Sequence, residues 1–153
     1  MTAATLRVVA GAFILVAACT AKETPAINET ATTPATGGAT AGFGPGPLAP
    51  AAGGRVIEIE ATTGADGLNH FNPSEITAHT GDVVRVKLGV GVHNIHFLPD
   101  SNPGAKGLPT DASELLQLPG QTWDIAVTFP AGVYYFQCDP HALLGMKGHL
   151  TVQ

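Results

Sequence analysis

The sequence predicts an all-β protein, a β-sandwich built from short strands. Apolar and polar residues alternate with a period of two through most of the chain after residue 53, and clusters rich in Gly, Pro and Asp separate these runs. Only Asp111–Leu116 has a pattern that indicates a helical turn. Several short strands at this spacing are typical of two packed sheets.

The first residues have the pattern of an export signal. Arg7 precedes the apolar run Val8–Ala18, which is too short to cross a bilayer, because a spanning helix needs about 20 residues. The run ends in Val-Ala-Ala-Cys, which resembles a bacterial lipobox. Residues 1–18 are therefore predicted to be a lipoprotein-type signal peptide, with Cys19 as the lipidated first residue of the mature protein. The alternative is an ordinary cleaved signal followed by an incidental cysteine.

Residues 19–52 are predicted to be a disordered tether. Thr, Ala, Pro and Gly dominate this segment, and its few large apolar side chains include Phe43 and Leu48. Such a composition cannot bury enough apolar surface to offset the entropy lost on ordering. We expect the tether to join a lipid anchor to an exported domain, facing the periplasm or the cell exterior.

Residues 53–153 are predicted to form one domain. Alternation places Ile57 and Ile59 on the buried face of one strand. Two further strands are predicted from rows of inward apolar residues. The first row is Val84, Val86 and Leu88. The second row is Trp123, Ile125, Val127 and Phe129, with Asp124, Ala126 and Thr128 facing outward between them.

The charge balance argues against nucleic acid as a partner. The chain has 12 acidic and 7 basic residues, a net charge of −5, whereas phosphate binding requires a basic surface. The 2 cysteines could form a disulfide in an exported protein. We do not expect one, because Cys19 is at the processing site and Cys138 lies in a metal-ligand spacing.

The segment Tyr134–Val152 carries the chemistry. Within it Cys138, His141 and Met146 offer a thiolate, an imidazole and a thioether on one short loop. A copper centre that shuttles single electrons uses two imidazoles and a thiolate with a weak axial thioether, so this spacing supplies three of four ligands. The fourth must be a histidine from elsewhere in the chain; the available residues are His70, His79, His93, His96 and His149.

Strand parity selects the second histidine. In Val92–Phe97, His93 shares the inward face with Ile95 and Phe97, whereas His96 takes the other face. Cys138 ends the inward row that includes Phe136, so His93 and Cys138 should meet at one end of the sandwich. His79, His96 and His149 fall on outward parities and are predicted to be solvated; His70, in a turn-rich stretch, receives no role.

These features resemble the small blue copper proteins of the cupredoxin family, of the plastocyanin and pseudoazurin type. The resemblance covers roughly residues 55 to 153. It rests on the following residues: Pro73-Ser74-Glu75-Ile76-Thr77, Gly81-Asp82, His93-Asn94, Leu115-Leu116, Pro119-Gly120, Tyr134-x-Phe136-x-Cys138-x-Pro140-His141 and Gly145-Met146-x-Gly148.

The resemblance implies a Greek-key sandwich that holds one type 1 copper per chain. The implied ligands are His93, Cys138, His141 and Met146, with Asn94 bracing the ligand loop by hydrogen bonds. It also implies a monomeric electron carrier rather than an enzyme, passing electrons between partners such as cytochromes or oxidase and reductase complexes.

The electron-transfer surface implied by the resemblance surrounds His141. Its apolar lining would come from Pro140, Leu143 and Leu144, in keeping with the tendency of exposed apolar patches to be docking sites. The chain departs from photosynthetic plastocyanins at Gln137, where those proteins carry a tyrosine beside an acidic patch. This weakens a photosynthetic assignment and leaves the identity of the partner open.

Two other classes of function remain open at this point. A copper carrier or storage protein would use the same ligands to hand metal over. An enzyme module of the multicopper oxidase or nitrite reductase kind would need additional histidine-rich copper sites, which a single domain could supply only at an interface between subunits.

Overall fold

The computed structural model describes residues 42–153. The predicted signal peptide, Cys19 and the predicted tether as far as residue 41 lie outside the described residues. The strands are β1 Phe43–Pro45, β2 Val56–Thr63, β3 Asn69–Asn72, β4 Glu75–Ala78, β5 Val83–Leu88, β6 Thr122–Ala126, β7 Gly132–Gln137 and β8 Lys147–Val152. Among residues 42–153 no helix has both the length and the apolar character needed to cross a bilayer.

Two sheets form the predicted sandwich. The larger sheet has the strand order β1-β6-β5-β2-β3, and the smaller has the order β4-β8-β7. The pairs β2–β5 and β4–β8 are parallel, and all other pairs are antiparallel. The predicted all-β class is therefore confirmed.

The inward rows of the sequence form the core between the sheets. Ile59 on β2 and Val84, Val86 and Leu88 on β5 are at most 1% exposed. The ring of Phe136 on β7 packs edge-to-face on Phe71, with ring centres 5.0 Å apart, and on Phe97 at 5.8 Å. Each such pair adds about 0.5–1.5 kcal/mol beyond its area burial, so the aromatic cluster joins the two sheets firmly.

The end of the predicted tether belongs to the fold. Residues 43–45 form β1, which pairs with β6 and places Phe43 opposite Ile125. The ring of Phe43 packs edge-to-face against Trp123, with ring centres 5.2 Å apart. The Phe43 ring contact and the β1–β6 pairing both attach this segment to a distant part of the chain. Strand β1 therefore lies before residue 53, the predicted start of the domain.

The outward face of β6 is covered, contrary to prediction. Asp124 is 0% exposed and Ala126 is 4% exposed. Gly46 lies against this face, and the Leu48 N–H donates a 2.7 Å hydrogen bond to Asp124 Oδ2. Only Thr128 is exposed as predicted. The alternation on β6 was identified correctly, but the cover comes from a segment that the sequence assigned to the tether.

Helical structure occurs at other positions than the sequence indicated. Residues 111–116 contain no helix. Leu116 instead forms an isolated β-bridge with His93. Within the described residues, short 3₁₀ helices span Pro99–Ser101 and Asp139–Leu144. The second one ends at Gly145, whose φ of +94° is a conformation that favours glycine.

The strand directions place the metal-ligand candidates at one end of the sandwich. β2 and β5 run parallel, so their last residues, Thr63 and Leu88, lie at the same end of the sheet. His93 follows β5 in the chain, and Cys138 comes immediately after the last residue of β7. Gly42 lies at the opposite end, because its carbonyl accepts from Ala126, which pairs with the first residue of β5, Val83. The described chain thus enters the domain at the end farthest from these residues.

A buried carboxylate, Asp82, ties two segments together at that opposite end. Its side chain is 3% exposed and accepts 2.9 Å hydrogen bonds from the backbone N–H groups of Arg55 and His79. Burial raises the pKa of Asp82, but these donors and the Arg55 charge outweigh it and hold the pKa below its usual value.

We expect Asp82→Asn to lower the free energy of unfolding at neutral pH by about 1–3 kcal/mol, because the amide cannot accept both backbone donors and loses the attraction to Arg55. Since the folded-state pKa is depressed, the stabilisation is complete above about pH 4 and is lost as pH falls through the lower folded value. Denaturant unfolding of both proteins between pH 7 and acid pH measures this. A stability difference that stays constant over that range would contradict the role given to Asp82.

Candidate metal centre

Three donor atoms converge at the end of the sandwich where β5 and β7 terminate. The Nδ1 atoms of His93 and His141 are 3.2 Å apart, and the Sγ atom of Cys138 lies 3.7 Å from the first and 3.4 Å from the second. A point about 2.0 Å from all three atoms lies between them, close to the length of metal–nitrogen bonds and slightly shorter than metal–thiolate bonds. The triangle therefore has the size of a metal-binding site.

Hydrogen bonding fixes the orientation of the His93 ring. Its Nε2 is 3.1 Å from the carbonyl oxygen of Val90, which only accepts, so the proton sits on Nε2 and the lone pair of Nδ1 faces Cys138 and His141. The Thr63 hydroxyl donates to Asn69 at 2.7 Å and lies 3.3 Å from the same Nε2. Such outer contacts set the tautomer that a metal ligand needs.

Burial favours the neutral forms of His93 and Cys138 until a cation is present. Burial lowers the pKa of His93, which keeps its imidazole neutral and able to coordinate. Burial also raises the pKa of the Cys138 thiol. A bound metal ion reverses that preference, since a coordinating thiol loses its proton.

Met146 is held beside these donors by backbone hydrogen bonds. The Cys138 N–H donates to the Met146 carbonyl at 3.1 Å, and the Met146 N–H donates to the His141 carbonyl at 3.1 Å. The Met146 side chain is 0% exposed. The 3₁₀ helix that precedes it therefore folds the loop so that the Met146 backbone lies beside the backbones of Cys138 and His141.

Asn94 braces the start of this loop. Its Oδ1 accepts a 2.8 Å hydrogen bond from the Asp139 N–H, and its Nδ2 donates to Asp139 Oδ2 at 3.0 Å. Asn94 is 5% exposed, whereas the Asp139 side chain is 37% exposed, so these bonds lie at the edge of the buried region. The two-bond contact connects the segment that carries His93 to the residue that follows Cys138.

Gly91 leaves room for the His93 ring. A methyl group at this position would lie 2.7 Å from His93 Nε2, and the residue has a φ of +101°. A larger residue would displace the imidazole from the Val90 carbonyl. This contact is not visible in the sequence, because it depends on how the chain turns between β5 and His93.

The remaining histidines lie away from the three donors. His79 and His149 have side chains 58% and 45% exposed, as their outward parity predicted. His70 is on β3 opposite Thr62 and nothing in the structure gives it a role. His96 is an exception: its side chain is only 18% exposed, because its ring packs between two oxygen acceptors. The prediction that His96 is solvated is wrong.

The residues around His141 form an exposed apolar surface, here called the loop patch, which consists of Pro140, His141, Leu143 and Leu144. Leu143 is fully exposed and Leu144 is 70% exposed, and Pro140 is exposed as well. His141 is half-buried, whereas His93, Cys138 and Met146 are 0% exposed. Of these four residues, His141 is therefore the one that reaches the surface.

A two-sheet sandwich with a His–Cys–His cluster at one end defines a small metal-binding β-protein. The donor set fits copper, because a thiolate and two imidazoles are soft to borderline ligands, and a buried methionine lies on the same loop. Residues 58–153 match the family described as copper binding proteins, plastocyanin/azurin family. The match covers more than half of the chain, and the protein belongs to this family.

Individual relatives agree with this assignment. The chain is 36% identical over 104 residues to the chloroplastic plastocyanin of Oryza sativa subsp. indica, a match covering 66% of each chain, just under two thirds of the rice protein. It is 37% identical over 112 residues to the plastocyanin of Nostoc punctiforme, covering 68% of this chain and 78% of the relative. The oxidized plastocyanin of Dryopteris crassirhizoma superposes with a TM-score of 0.52 at 31% identity, covering 63% of this chain and 100% of the fern protein.

Proposed function

We propose that this protein is a mononuclear type 1 copper electron carrier that cycles between Cu(II) and Cu(I). The observation that carries the proposal is the convergence of His93 Nδ1, His141 Nδ1 and Cys138 Sγ on one point within bonding distance of all three. Copper held there supplies a one-electron redox couple. The proposed ligands are these three residues together with Met146.

The surroundings of the ligands suit electron transfer better than catalysis. Three strong donors and a thioether leave no open position for a substrate, unlike a catalytic metal site. The Val90 and Asn94 contacts fix the His93 ring and the start of the loop before metal binds. Rigid donors keep the geometry similar in both oxidation states, which lowers the reorganisation required for each transfer.

The loop patch is the proposed docking surface. His141 links the buried donors to the exterior, and its neighbours Leu143 and Leu144 can exclude water against a partner. The proposed partners are redox proteins such as cytochromes or oxidase and reductase complexes. The chain is proposed to work as a monomer, with this surface free for transient contacts.

Membrane anchoring through a lipidated Cys19 is the proposed localisation, on the periplasmic or outer face of a membrane. The position of Gly42 supports it, because the described chain enters the domain at the end opposite to His141. A tether attached there leaves the loop patch free to meet partners. Metabolic labelling with a palmitate analogue, compared with a Cys19→Ser variant, tests the anchor directly.

We expect Leu143→Asp to slow electron self-exchange between two copies of the protein by at least about tenfold at low salt, because two like charges then meet where the patches dock. The visible spectrum should be unchanged, since Leu143 is fully exposed and is not one of the proposed ligands. NMR line broadening in mixtures of the oxidised and reduced protein measures the rate.

The matched control for that experiment is Val133→Asp. Val133 is 66% exposed and lies at the start of β7, the end of that strand away from Cys138. The Val133→Asp substitution makes the same change of charge outside the loop patch. It should leave the rate of electron self-exchange close to that of the wild-type protein. Equal rates for the two variants would refute the loop patch as the docking surface.

Copper transfer from the loaded protein distinguishes an electron carrier from a copper carrier or storage protein. An electron carrier retains its metal through many cycles of reduction and oxidation in the presence of a Cu(I) chelator. Rapid loss of copper to the chelator in the reduced state would favour the carrier or storage function. The buried positions of Cys138 and Met146 support slow release.

A further inference from the structure

His96 lies between two oxygen acceptors beside the ligand loop. Its Nδ1 is 3.0 Å from both carboxylate oxygens of Asp139, and its Nε2 is 3.1 Å from the carbonyl oxygen of Thr110. Carboxylate and carbonyl oxygens only accept, so each of these bonds uses a ring nitrogen as the donor. The His96 ring thus bridges Asp139 and the segment around Thr110.

Asp139 is the point at which several side chains converge. Its carboxylate accepts from Gln137 Nε2 at 2.9 Å and from Asn94 Nδ2 at 3.0 Å, in addition to His96. Its backbone N–H is bound to Asn94 Oδ1. Asp139 lies between Cys138 and Pro140 in the chain and is the first residue of the 3₁₀ helix that contains His141. The position of Asp139 therefore affects the positions of both proposed ligands, Cys138 and His141.

We propose that His96 is a positioning residue for the metal centre, which clamps Asp139 close to Cys138. This inference rests on the proposed copper function, but its first test does not require copper. Without the His96 contact, the loop from Cys138 to His141 loses the bond that joins it to the segment around Thr110. The Asp139 carboxylate, held next to Cys138, would also favour the more positive oxidation state, Cu(II).

His149 supplies a matched control within the same domain. Its Nδ1 is 3.0 Å from Glu75 Oε1, the same kind of histidine–carboxylate pair at the same distance, but it joins β8 to β4 and not to the ligand loop. A variant His149→Gln therefore removes an equivalent pair without touching Asp139. Any effect that His96→Gln shows beyond this control is specific to the loop.

The first experiment is amide hydrogen exchange on the copper-free full-length protein. We expect His96→Gln to accelerate exchange of the Asp139 and His141 amides by about tenfold, while amides of β2 and β5 stay protected. His149→Gln should leave the loop amides at the wild-type rate. Unchanged loop exchange in His96→Gln, or an equal increase in both variants, would overturn the positioning role even if copper binding proves correct.

The second experiment measures the reduction potential of the copper-loaded protein. Asp139→Asn, which removes the negative charge but keeps the shape, should shift the redox equilibrium toward Cu(I) by about threefold or more. His149→Gln should leave the equilibrium unchanged. A shift toward Cu(II) in Asp139→Asn, or none, would overturn the placement of the Asp139 carboxylate beside the metal centre.

A failure of the copper function and a failure of the His96 role can be told apart by these experiments. If the protein does not bind copper, the exchange experiment still gives a clear answer for His96, because it uses the copper-free protein. If His96→Gln does not fold, Asp139→Asn tests the same clamp through the Asp139 and His141 amides. Wild-type exchange of these amides in Asp139→Asn would then overturn the proposal.

Discussion

Replacing Cys138 with serine is expected to abolish the intense visible absorption of the copper-loaded protein. The absorption of a blue copper site comes from the bond between copper and a thiolate, and a serine hydroxyl is not deprotonated under the same conditions. The Sγ atom lies 3.4 Å from His141 Nδ1 and 3.7 Å from His93 Nδ1, so the serine hydroxyl has nitrogen acceptors within reach. The variant should therefore remain folded.

Absorption and far-ultraviolet circular dichroism of the two proteins measure this prediction together. Met146→Leu is the matched control, because it removes a buried side chain from the same loop but leaves the thiolate and both imidazoles in place. That variant should keep a visible band, since the Met146 thioether would be a weak ligand. A Cys138→Ser protein with an unchanged visible spectrum would refute the proposed thiolate–copper bond.

The second large effect is expected at Asp124. Asp124→Ala should lower the free energy of unfolding by about 3–5 kcal/mol, because it removes one partner of a buried ion pair. Arg85 donates to both carboxylate oxygens, at 2.9 and 2.7 Å, and Asp124 is 0% exposed. Arginine does not lose its proton in proteins, so the guanidinium, only 21% exposed, stays charged in the variant without its partner.

The control for Asp124→Ala is Glu58→Gln. Glu58 pairs with Lys87 at 3.5 Å across neighbouring strands of the same sheet, but both side chains are about half exposed, at 56% and 48%. Such a surface pair contributes about 0–1 kcal/mol. Urea unfolding of the copper-free proteins provides the comparison, and a loss at Asp124 no greater than at Glu58 would contradict the structural role assigned to the buried pair.

Asp124 also accepts a hydrogen bond from the backbone N–H of Leu48. The loss of stability in Asp124→Ala should therefore extend to the segment before β2. In Asp124→Ala this N–H loses its partner, and β1 loses one of its attachments to β6. Protease cleavage within residues 42–52 should therefore increase together with the loss of stability. The two effects share one cause, the carboxylate that holds Arg85 and Leu48 at once.

The local pattern of the sequence predicts the central strands and the ligand loop well. The alternation that marks Ile59, Val84 and Val86 as buried is a property of a few neighbouring residues, and the sheets bury those side chains. The spacing of Cys138 and His141 is equally local, and strand parity brings His93 to the same end. These features were accessible because each depends on residues close together in the chain.

Contacts between distant segments of the chain could not be predicted from the sequence in the same way. The attachment of Phe43 to Trp123 joins a Gly- and Pro-rich segment to a strand much later in the chain, so composition alone indicated disorder. The burial of Asp124 follows from the same segment, and the placement of His96 depends on Asp139 and Thr110. No local periodicity encodes these pairings, because they join segments that are far apart in the chain.

The most direct test of the copper assignment is the visible spectrum of the full-length protein after one equivalent of Cu(II) is added, followed by ascorbate and then an oxidant. The convergence of His93, Cys138 and His141 predicts an intense blue band that ascorbate bleaches and the oxidant restores. Repeated cycles should leave the band undiminished. A protein that stays colourless with Cu(II) would contradict coordination by Cys138 and with it the proposed electron-transfer function.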